Sequence, residues 1–186
     1  MPLERPTPIE TARLRVRLLE ETDLADLFEV NGDAEVTRFL PYATWESPAT
    51  GNAWYKRMMD LQAAATALQF VVVRKDFEKA IGTCLIFRHD EPSARAELGF
   101  VLGREHWGGG YMTEALTALI DCTFENMGMR RLEAEANPRN TASGRLLRRL
   151  GFVREGLARQ RWVSKGAAHD VETFGLLHDD WAGRRA

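Results

Sequence analysis

Three consecutive glycines, Gly108 to Gly110, stand directly before an amphipathic helix pattern, and this junction constrains the fold more than any other stretch. From Thr113 the apolar residues recur at helical spacing up to Met127, and Gly128 is well placed to end the helix. Because glycine is unfavourable inside a helix, the run of three belongs to the turn before it. The sequence therefore predicts a glycine-rich turn that leads into one long helix.

The glycine-rich turn favours an anion-binding site. Such a turn lets bare backbone N–H groups approach a ligand, and the helix N-terminus adds roughly half a positive charge at the same place. The alternative is a tight turn that needs positive φ, which would suffice to explain a single pair of glycines. Three glycines against a long helix favour phosphate binding, by analogy with other glycine-rich phosphate loops.

Two common phosphate motifs do not fit this loop. A P-loop is excluded because no Gly-Lys-Ser/Thr follows the glycines. The dinucleotide fingerprint is closer, because a strand precedes, a helix follows, and Glu133 or Glu135 lies near the end of the next strand. It still fails, because too little chain remains after the loop for further βαβ units. Nicotinamide chemistry is therefore not expected.

Strand and helix patterns alternate along the rest of the chain. Strand patterns occur at residues 11–19, 67–75, 79–88, 94–103 and 129–136 and on both sides of Lys165-Gly166. Further helix patterns occur at residues 21–30 with Thr22 as the cap, from Ser47-Pro48 onward, and between Asn140 and Gly151. This order predicts an α/β fold with a mixed sheet and helices on both faces.

Length, charge and cysteine content narrow the class of protein. A chain of 186 residues is expected to form one domain over residues 1–186. The net charge of −2 and the scattered Lys and Arg argue against nucleic acid as a partner. Cys84 and Cys122 are unclustered, which indicates a reducing, cytoplasmic environment. No apolar run suits a membrane helix or a signal peptide, so no membrane partner is expected.

Residues 96–156 resemble the acetyl-CoA-binding core of the GCN5-related N-acetyltransferases (GNAT), in particular the ribosomal-protein-alanine N-acetyltransferase branch. The loop of that branch usually reads Trp-Gly-x-Gly-Tyr-x-x-Glu-Ala, which is matched by Trp107, Gly108, Gly110, Tyr111, Glu114 and Ala115. A second motif follows in the right order and spacing, at Asn140, Ser143, Leu150, Gly151 and Phe152. One departure is Glu105, where the broader family often has Gln or Arg.

The resemblance implies the GNAT fold, with a mostly antiparallel sheet of seven strands, acetyl-CoA as co-substrate and no need for a metal. In that family a splayed strand offers backbone groups to the pantetheine arm, and the matching residues here are Phe100, Val101 and Leu102. The pyrophosphate would be wrapped by Gly108, Gly109, Gly110, Tyr111 and Met112. Asn140 and Arg145 would face the arm and the nucleotide, although Asn140 is equally a helix cap and Arg145 a solvated side chain.

The implied reaction is attack of a primary amine on the thioester of acetyl-CoA. Because most amines are protonated at neutral pH, a base is needed, and Glu97 lies where relatives often place a catalytic glutamate. Ser143 matches the position proposed to hold the acid that protonates coenzyme A. A free N–H near Val101 is a candidate donor to the tetrahedral oxygen. The alternatives are a surface carboxylate for Glu97 and support of the helix cap for Ser143.

The resemblance leaves the acceptor open. The expected partner carries an amine, either as a peptide N-terminus or as a small molecule, and a homodimer is compatible because relatives are often dimers. His106 is expected to pack or face solvent rather than act as a base. The early helical segment forms the acceptor side in the family, and its aromatic residues, mostly expected in the core, are Phe39, Tyr42, Trp45, Trp54 and Tyr55. The competing class is a non-catalytic CoA-binding sensor or assembly module.

Overall fold

The computed structural model describes residue 3 and residues 5–184. Within them the strands are β1 (Ile9–Glu10), β2 (Leu14–Leu18), β3 (Ala67–Arg74), β4 (Lys79–Asp90), β5 (Arg95–Leu102), β6 (Arg131–Ala136), β7 (Val153–Ser164) and β8 (Ala167–Leu177). The α-helices are α1 (Leu24–Asn31), α2 (Ala34–Thr37), α3 (Pro48–Ala63), α4 (Tyr111–Glu125), α5 (Thr141–Arg149) and α6 (His178–Gly183). No helix in this part of the chain is long and apolar enough to cross a membrane.

All eight described strands form one sheet, in the order β1-β2-β3-β4-β5-β6-β8-β7. Neighbours run antiparallel except β5 and β6, which are parallel, so the predicted mixed and mostly antiparallel sheet is confirmed. The expectation of seven strands was wrong by one, because β1 adds an edge strand that pairs Ile9 with Val16. A strand of two residues has no period that a sequence pattern can reveal.

Helices cover both faces of the sheet, as predicted. On one face α4 buries Leu116 and Leu119 in a cluster that includes Phe70 of β3. On the other face Leu27 of α1 and Met58 of α3 lie in a cluster with Val71 and Val73. Because successive side chains of a strand point to opposite faces, β3 is buried on both sides and reads as a continuous apolar run.

Some helix boundaries differ from the sequence expectation. Thr22 was expected to cap the first helix, but a 3₁₀ turn over Glu21–Asp23 precedes α1. There the Asp23 carboxylate accepts a hydrogen bond from the Glu20 backbone N–H at 2.8 Å and pairs with Arg17. The short helices α2 and α6 were not predicted, because four and six residues are too few to establish a helical period.

The sheet splits open between β5 and β6. These strands pair only where residues 95–97 lie beside residues 131–133. Beyond Glu97, β5 stays paired with β4 up to Leu102, while β6 stays paired with β8 up to Ala136. The split leaves one edge of β5 without a strand partner over residues 98–102, so its backbone groups face an opening at the centre of the sheet.

Candidate active site

The glycine loop lies just beyond the end of β5 and leads directly into α4. Gly108 and Gly110 have φ values of 76° and 77°, and Gly110 is the N-cap residue of α4. An L-residue adopts such φ values only at a cost, so the conformation itself requires glycine at these two positions. No side chain caps the helix, and the first N–H groups of α4 have no intrahelical partner. They are available to an anion.

Gly109, the middle glycine, is constrained by its contacts and not by a positive φ. The Arg13 guanidinium donates a hydrogen bond from Nη1 to the Gly109 carbonyl at 2.9 Å and lies over the Tyr111 ring at 4.3 Å. A Cβ at Gly109 would lie 2.8 Å from the Tyr111 ring. A side chain at this position is therefore accommodated only if the tyrosine ring shifts.

Glu114 in the first turn of α4 anchors the β1–β2 turn to the glycine loop. Its carboxylate accepts hydrogen bonds from Thr11 Oγ1 at 2.7 Å, from the Arg13 backbone N–H at 2.8 Å and from Arg13 Nε at 2.6 Å. Burial acts to raise the pKa of Glu114, but these donors outweigh it and hold the pKa below its ordinary value. Sequence reasoning matched Glu114 to the family motif and missed Arg13, because the two residues meet only through tertiary packing.

The open edge of β5 presents alternate backbone groups. Gly103 donates its N–H to the Ile81 carbonyl of the β4 side at 2.8 Å. Strand alternation then turns the N–H of Val101 toward β4 as well, while those of Phe100 and Leu102 face the opening. The prediction that Val101 offers its backbone groups to the pantetheine arm is therefore corrected, because these groups pair with β4. The donors on the open edge, for the arm and for the tetrahedral oxygen, are the N–H groups of Phe100 and Leu102. The Leu102 carbonyl, which faces the same way, accepts a hydrogen bond from Trp107 Nε1 at 2.8 Å.

Glu97 lies at the point where the split begins, on the face of the sheet opposite α4. Its side chain is buried and accepts a hydrogen bond from Arg88 Nη1 at 2.7 Å. Arg88 occupies an irregularity in β4, with a φ of 51°, which aims its side chain at β5. Burial raises the pKa of Glu97, and the Arg88 charge opposes part of that rise. The alternative of an exposed surface carboxylate does not hold.

A second buried carboxylate, Glu135, lies close to this pair. Its Oε2 is 3.8 Å from Arg88 Nη1 and accepts a hydrogen bond from Trp162 Nε1 at 2.8 Å. Its Oε1 accepts a hydrogen bond from Arg161 Nε at 2.7 Å. Trp162 and Arg161 belong to the β7–β8 hairpin. The hairpin therefore closes one side of the opening between β5 and β6 at Glu97, which we call the cleft. Sequence reasoning missed Arg88 and the hairpin residues because no local motif marks them.

The second motif forms the start of α5. The Asn140 side chain accepts a hydrogen bond from the Ser143 backbone N–H at 3.2 Å, so Asn140 is a helix cap. Ser143 is half-buried, and Arg145 is exposed, with its guanidinium donating to Thr141 Oγ1 at 3.2 Å. This arrangement is consistent with the cap and solvated alternatives for Asn140 and Arg145, and it leaves the Asn140 amide N–H₂ available for another acceptor.

The remaining candidate side chains divide between core and cleft. Trp45 is buried against Trp54, with ring centroids 5.3 Å apart, so these indoles serve the core. The Tyr42 hydroxyl donates to Asn31 Oδ1, whereas Phe39 lines a small cavity near the β7–β8 hairpin. His106 stands edge-on to Tyr111, and burial lowers its pKa. Within the described residues no group of His, Cys, Asp or Glu is arranged to hold a metal.

A larger groove, of about 460 Å³, lies away from this site. It is lined by Phe124, Gly128 and Arg130, among others, at the C-terminal end of α4. The glycine loop is at the opposite end of the same helix, about 20 Å away at 1.5 Å per residue. The groove is therefore not part of the cleft at Glu97.

Comparison with known proteins places the chain in a family. Residues 13–153 match the model of the acetyltransferase (GNAT) domain. The chain is 36% identical over 173 residues to the uncharacterized N-acetyltransferase p20 of Bacillus licheniformis, covering 93% of this chain and 97% of that one. It is 31% identical over 189 residues to the ribosomal protein uS5-alanine N-acetyltransferase of Escherichia coli, covering 95% and 94%.

A solved structure agrees with these relatives. A GCN5-related N-acetyltransferase from Brucella melitensis superimposes with a TM-score of 0.87 at 25% sequence identity, covering 97% of this chain and 84% of that one. The family model and the relatives each span most of the chain, and they include both strands that border the split. The chain therefore belongs to the GNAT acetyltransferase family and is an acetyl-CoA-dependent N-acetyltransferase.

Proposed function

We propose that the chain transfers the acetyl group of acetyl-CoA to the primary amine of a peptide N-terminus or a small molecule, with Glu97 as the base. The observation that carries the proposal is the position of Glu97 at the apex of the split, on the same strand that leads to the glycine loop. A ligand bound along the open edge of β5 would extend from the loop toward this carboxylate. The name of the E. coli relative supports a peptide amine as one acceptor class.

Cofactor binding rests mainly on backbone groups. The loop from Gly108 through Gly110 and the N–H groups of Tyr111 and Met112 would hold the pyrophosphate, because their partners are missing in the helix and the helix dipole adds positive charge. Of the N–H groups of Phe100 and Leu102, one would pair with the pantetheine arm and the other would remain for the acyl oxygen. Asn140 and Arg145 would face the arm and the nucleotide from α5.

Glu97 would remove a proton from the ammonium group of the acceptor, directly or through a water, to give the neutral amine that attacks. The pKa of Glu97 is raised by burial, which moves that pKa toward the neutral working pH at which a general base is most effective. As the amine nitrogen forms its bond to the acyl carbon, the N–H of Phe100 or Leu102 would stabilise the negative oxygen. When the carbon–sulfur bond breaks, Ser143 would donate its hydroxyl proton to the departing thiolate and regain a proton, through solvent, from the nitrogen that becomes the amide.

A free-thiol assay tests this function. Purified chain is incubated with acetyl-CoA and a panel of peptides and small amines, and acceptor-dependent thiol release is expected. The matched control is Glu97→Gln, which keeps the size of the side chain and loses the base. Tight acetyl-CoA binding by calorimetry with no acceptor-dependent thiol release would support the sensor or assembly module instead.

A further inference from the structure

A small cavity of about 80 Å³ lies where three separate elements meet beside the β7–β8 hairpin. Arg38, at the end of α2, lines one side, Arg139 of the β6–α5 loop lines another, and Trp162 with His169 of the hairpin lines a third. The hairpin tip reaches across, because Lys165 donates to the Thr37 carbonyl at 2.6 Å. The cavity therefore has walls from both sides of the cleft.

A short chain of contacts connects this cavity to the proposed base. The Trp162 indole lines the cavity and donates to Glu135 Oε2 at 2.8 Å. Arg88 Nη1 is 3.8 Å from the same oxygen and 2.7 Å from Glu97 Oε2. Two side chains, Glu135 and Arg88, therefore separate Glu97 from the cavity wall, so the cavity is close to an acceptor whose amine is at Glu97.

The cavity is positively charged. Its lining contains Arg38 and Arg139 and no carboxylate among the described residues, and the Lys165 ammonium lies close to the Arg38 backbone. Within residue 3 and residues 5–184 Arg139 is an exposed residue that forms no ion pair with a carboxylate. Arg38 pairs with Glu35 at 3.6 Å, but both side chains are more than half-exposed, so this pair contributes little.

The nearby carboxylate does not cancel this charge. Glu135 is already paired with Arg161 at 2.7 Å and with Trp162, and it lies beneath the indole rather than in the lining. A polyamine bound here would bring its distal ammonium groups against two guanidinium groups. A carboxylate would instead gain charge-assisted hydrogen bonds from them.

We infer that this cavity binds an anionic group of the acceptor, so that the preferred acceptor carries a carboxylate a few bonds from its primary amine. This inference rests on the proposed function. Two sources share this chemistry: the carboxylate of a free amino acid or short peptide, and an acidic side chain next to the N-terminus of a longer peptide. The volume of about 80 Å³ is several times the space that one water needs, which suits a compact group.

Matched acceptors test the inference by steady-state thiol release. Ala-Ala is compared with Ala-Ala amide, an amidated peptide that begins Ala-Asp is compared with one that begins Ala-Asn, and spermidine serves as the cationic acceptor. We expect kcat/KM to be at least about tenfold higher for the acidic member of one pair, since charge-assisted hydrogen bonds are the strong ones. The pair that responds identifies the source of the carboxylate.

Variants connect the preference to the cavity. Arg139→Gln and Arg38→Gln are each expected to lower kcat/KM for the acidic acceptor by about tenfold, toward the value of its amide. Arg130→Gln is the matched control, because Arg130 lines the groove at the C-terminal end of α4, away from Glu97. This variant should keep the preference for the acidic acceptor. Equal kcat/KM within both pairs, or a preference for spermidine, would overturn the inference and leave the proposed function standing.

A binding measurement distinguishes failure of the proposed function from failure of the anion-site inference. Calorimetry with CoA present compares two pairs of product ligands, N-acetyl-Ala-Ala with its amide and the N-acetylated Ala-Asp peptide with its Ala-Asn counterpart. If no acceptor releases thiol, the proposed function fails, and these affinities decide the inference independently. Tighter binding of the acidic member of either pair, lost in Arg139→Gln, supports the anion site, whereas equal affinities within both pairs overturn it.

Discussion

Replacing Gly110 by valine tests whether the loop conformation holds the cofactor. Gly110 has a φ of 77°, and a Cβ added there meets only Arg13 Nη2, at the ordinary contact distance of 3.5 Å. The cost is therefore one of backbone conformation, about 1–2 kcal/mol for an L-residue and more for a β-branched one. If the loop of the variant relaxes when no ligand is bound, binding of acetyl-CoA must restore the strained conformation at this cost. The affinity for acetyl-CoA then falls by about 5- to 30-fold or more.

The assay is calorimetric titration of acetyl-CoA, together with urea unfolding. Gly128→Val is the matched control, because Gly128 has a φ of 65°, has open space around it and lies at the far end of α4. It should lose comparable stability and keep its affinity for acetyl-CoA. Gly109→Lys should also keep that affinity once the Tyr111 ring has shifted. Wild-type affinity in Gly110→Val would refute the reasoning that positive φ shapes the pyrophosphate site.

Three further predictions concern the carboxylates. Glu97→Gln should lower turnover by about 100-fold or more, mainly at low pH where the amine is protonated, with acetyl-CoA affinity retained; unchanged rates across pH would remove Glu97 from the mechanism. Arg88→Gln removes the charge that opposes the raised pKa of Glu97, so the acidic limb of the kcat/KM profile should move to higher pH, and less so in Arg88→Lys. Glu114→Gln should lose about 1 kcal/mol of stability at neutral pH in urea unfolding, a modest value because Arg13 is nearly half-exposed. Because the pKa of Glu114 is lowered in the folded chain, that difference should shrink as the pH falls toward the folded-state pKa, and a constant difference would argue against the ion pair.

Local sequence signals account for the elements of the fold that have a clear period. The helix after the glycines, the cap at Asn140 and the stop at Gly151 were predicted because capping and positive φ depend on adjacent residues. The short strand β1 was missed, since two residues acquire a strand conformation only from the neighbour they pair with. Thr22 was misassigned because a 3₁₀ turn with its own acidic cap replaces the expected helix start.

The residues of the candidate site also divide into those that local sequence predicts and those that only tertiary packing brings together. Gly108 and Gly110 could be singled out from sequence because their backbone conformation is a local requirement. Arg13 and Glu114 are 101 positions apart, so their contact exists only because β2 and α4 pack together. Arg88 reaches Glu97 only because an irregularity in β4 turns it toward β5, and no pattern in residues 79–88 predicts that turn.

Residues that lie close together along the chain were enough to predict the order of the elements, the glycine loop at the start of α4 and the family. Three features required the packed chain: the point where β5 and β6 part, the burial of Glu97 there with Arg88 as its partner, and the meeting of the β7–β8 hairpin with α2 over a cavity lined by two arginines. Burial and charge pairing depend on which distant segments pack together, and these contacts set the pKa of Glu97, the proposed base, and the charge of the proposed acceptor cavity.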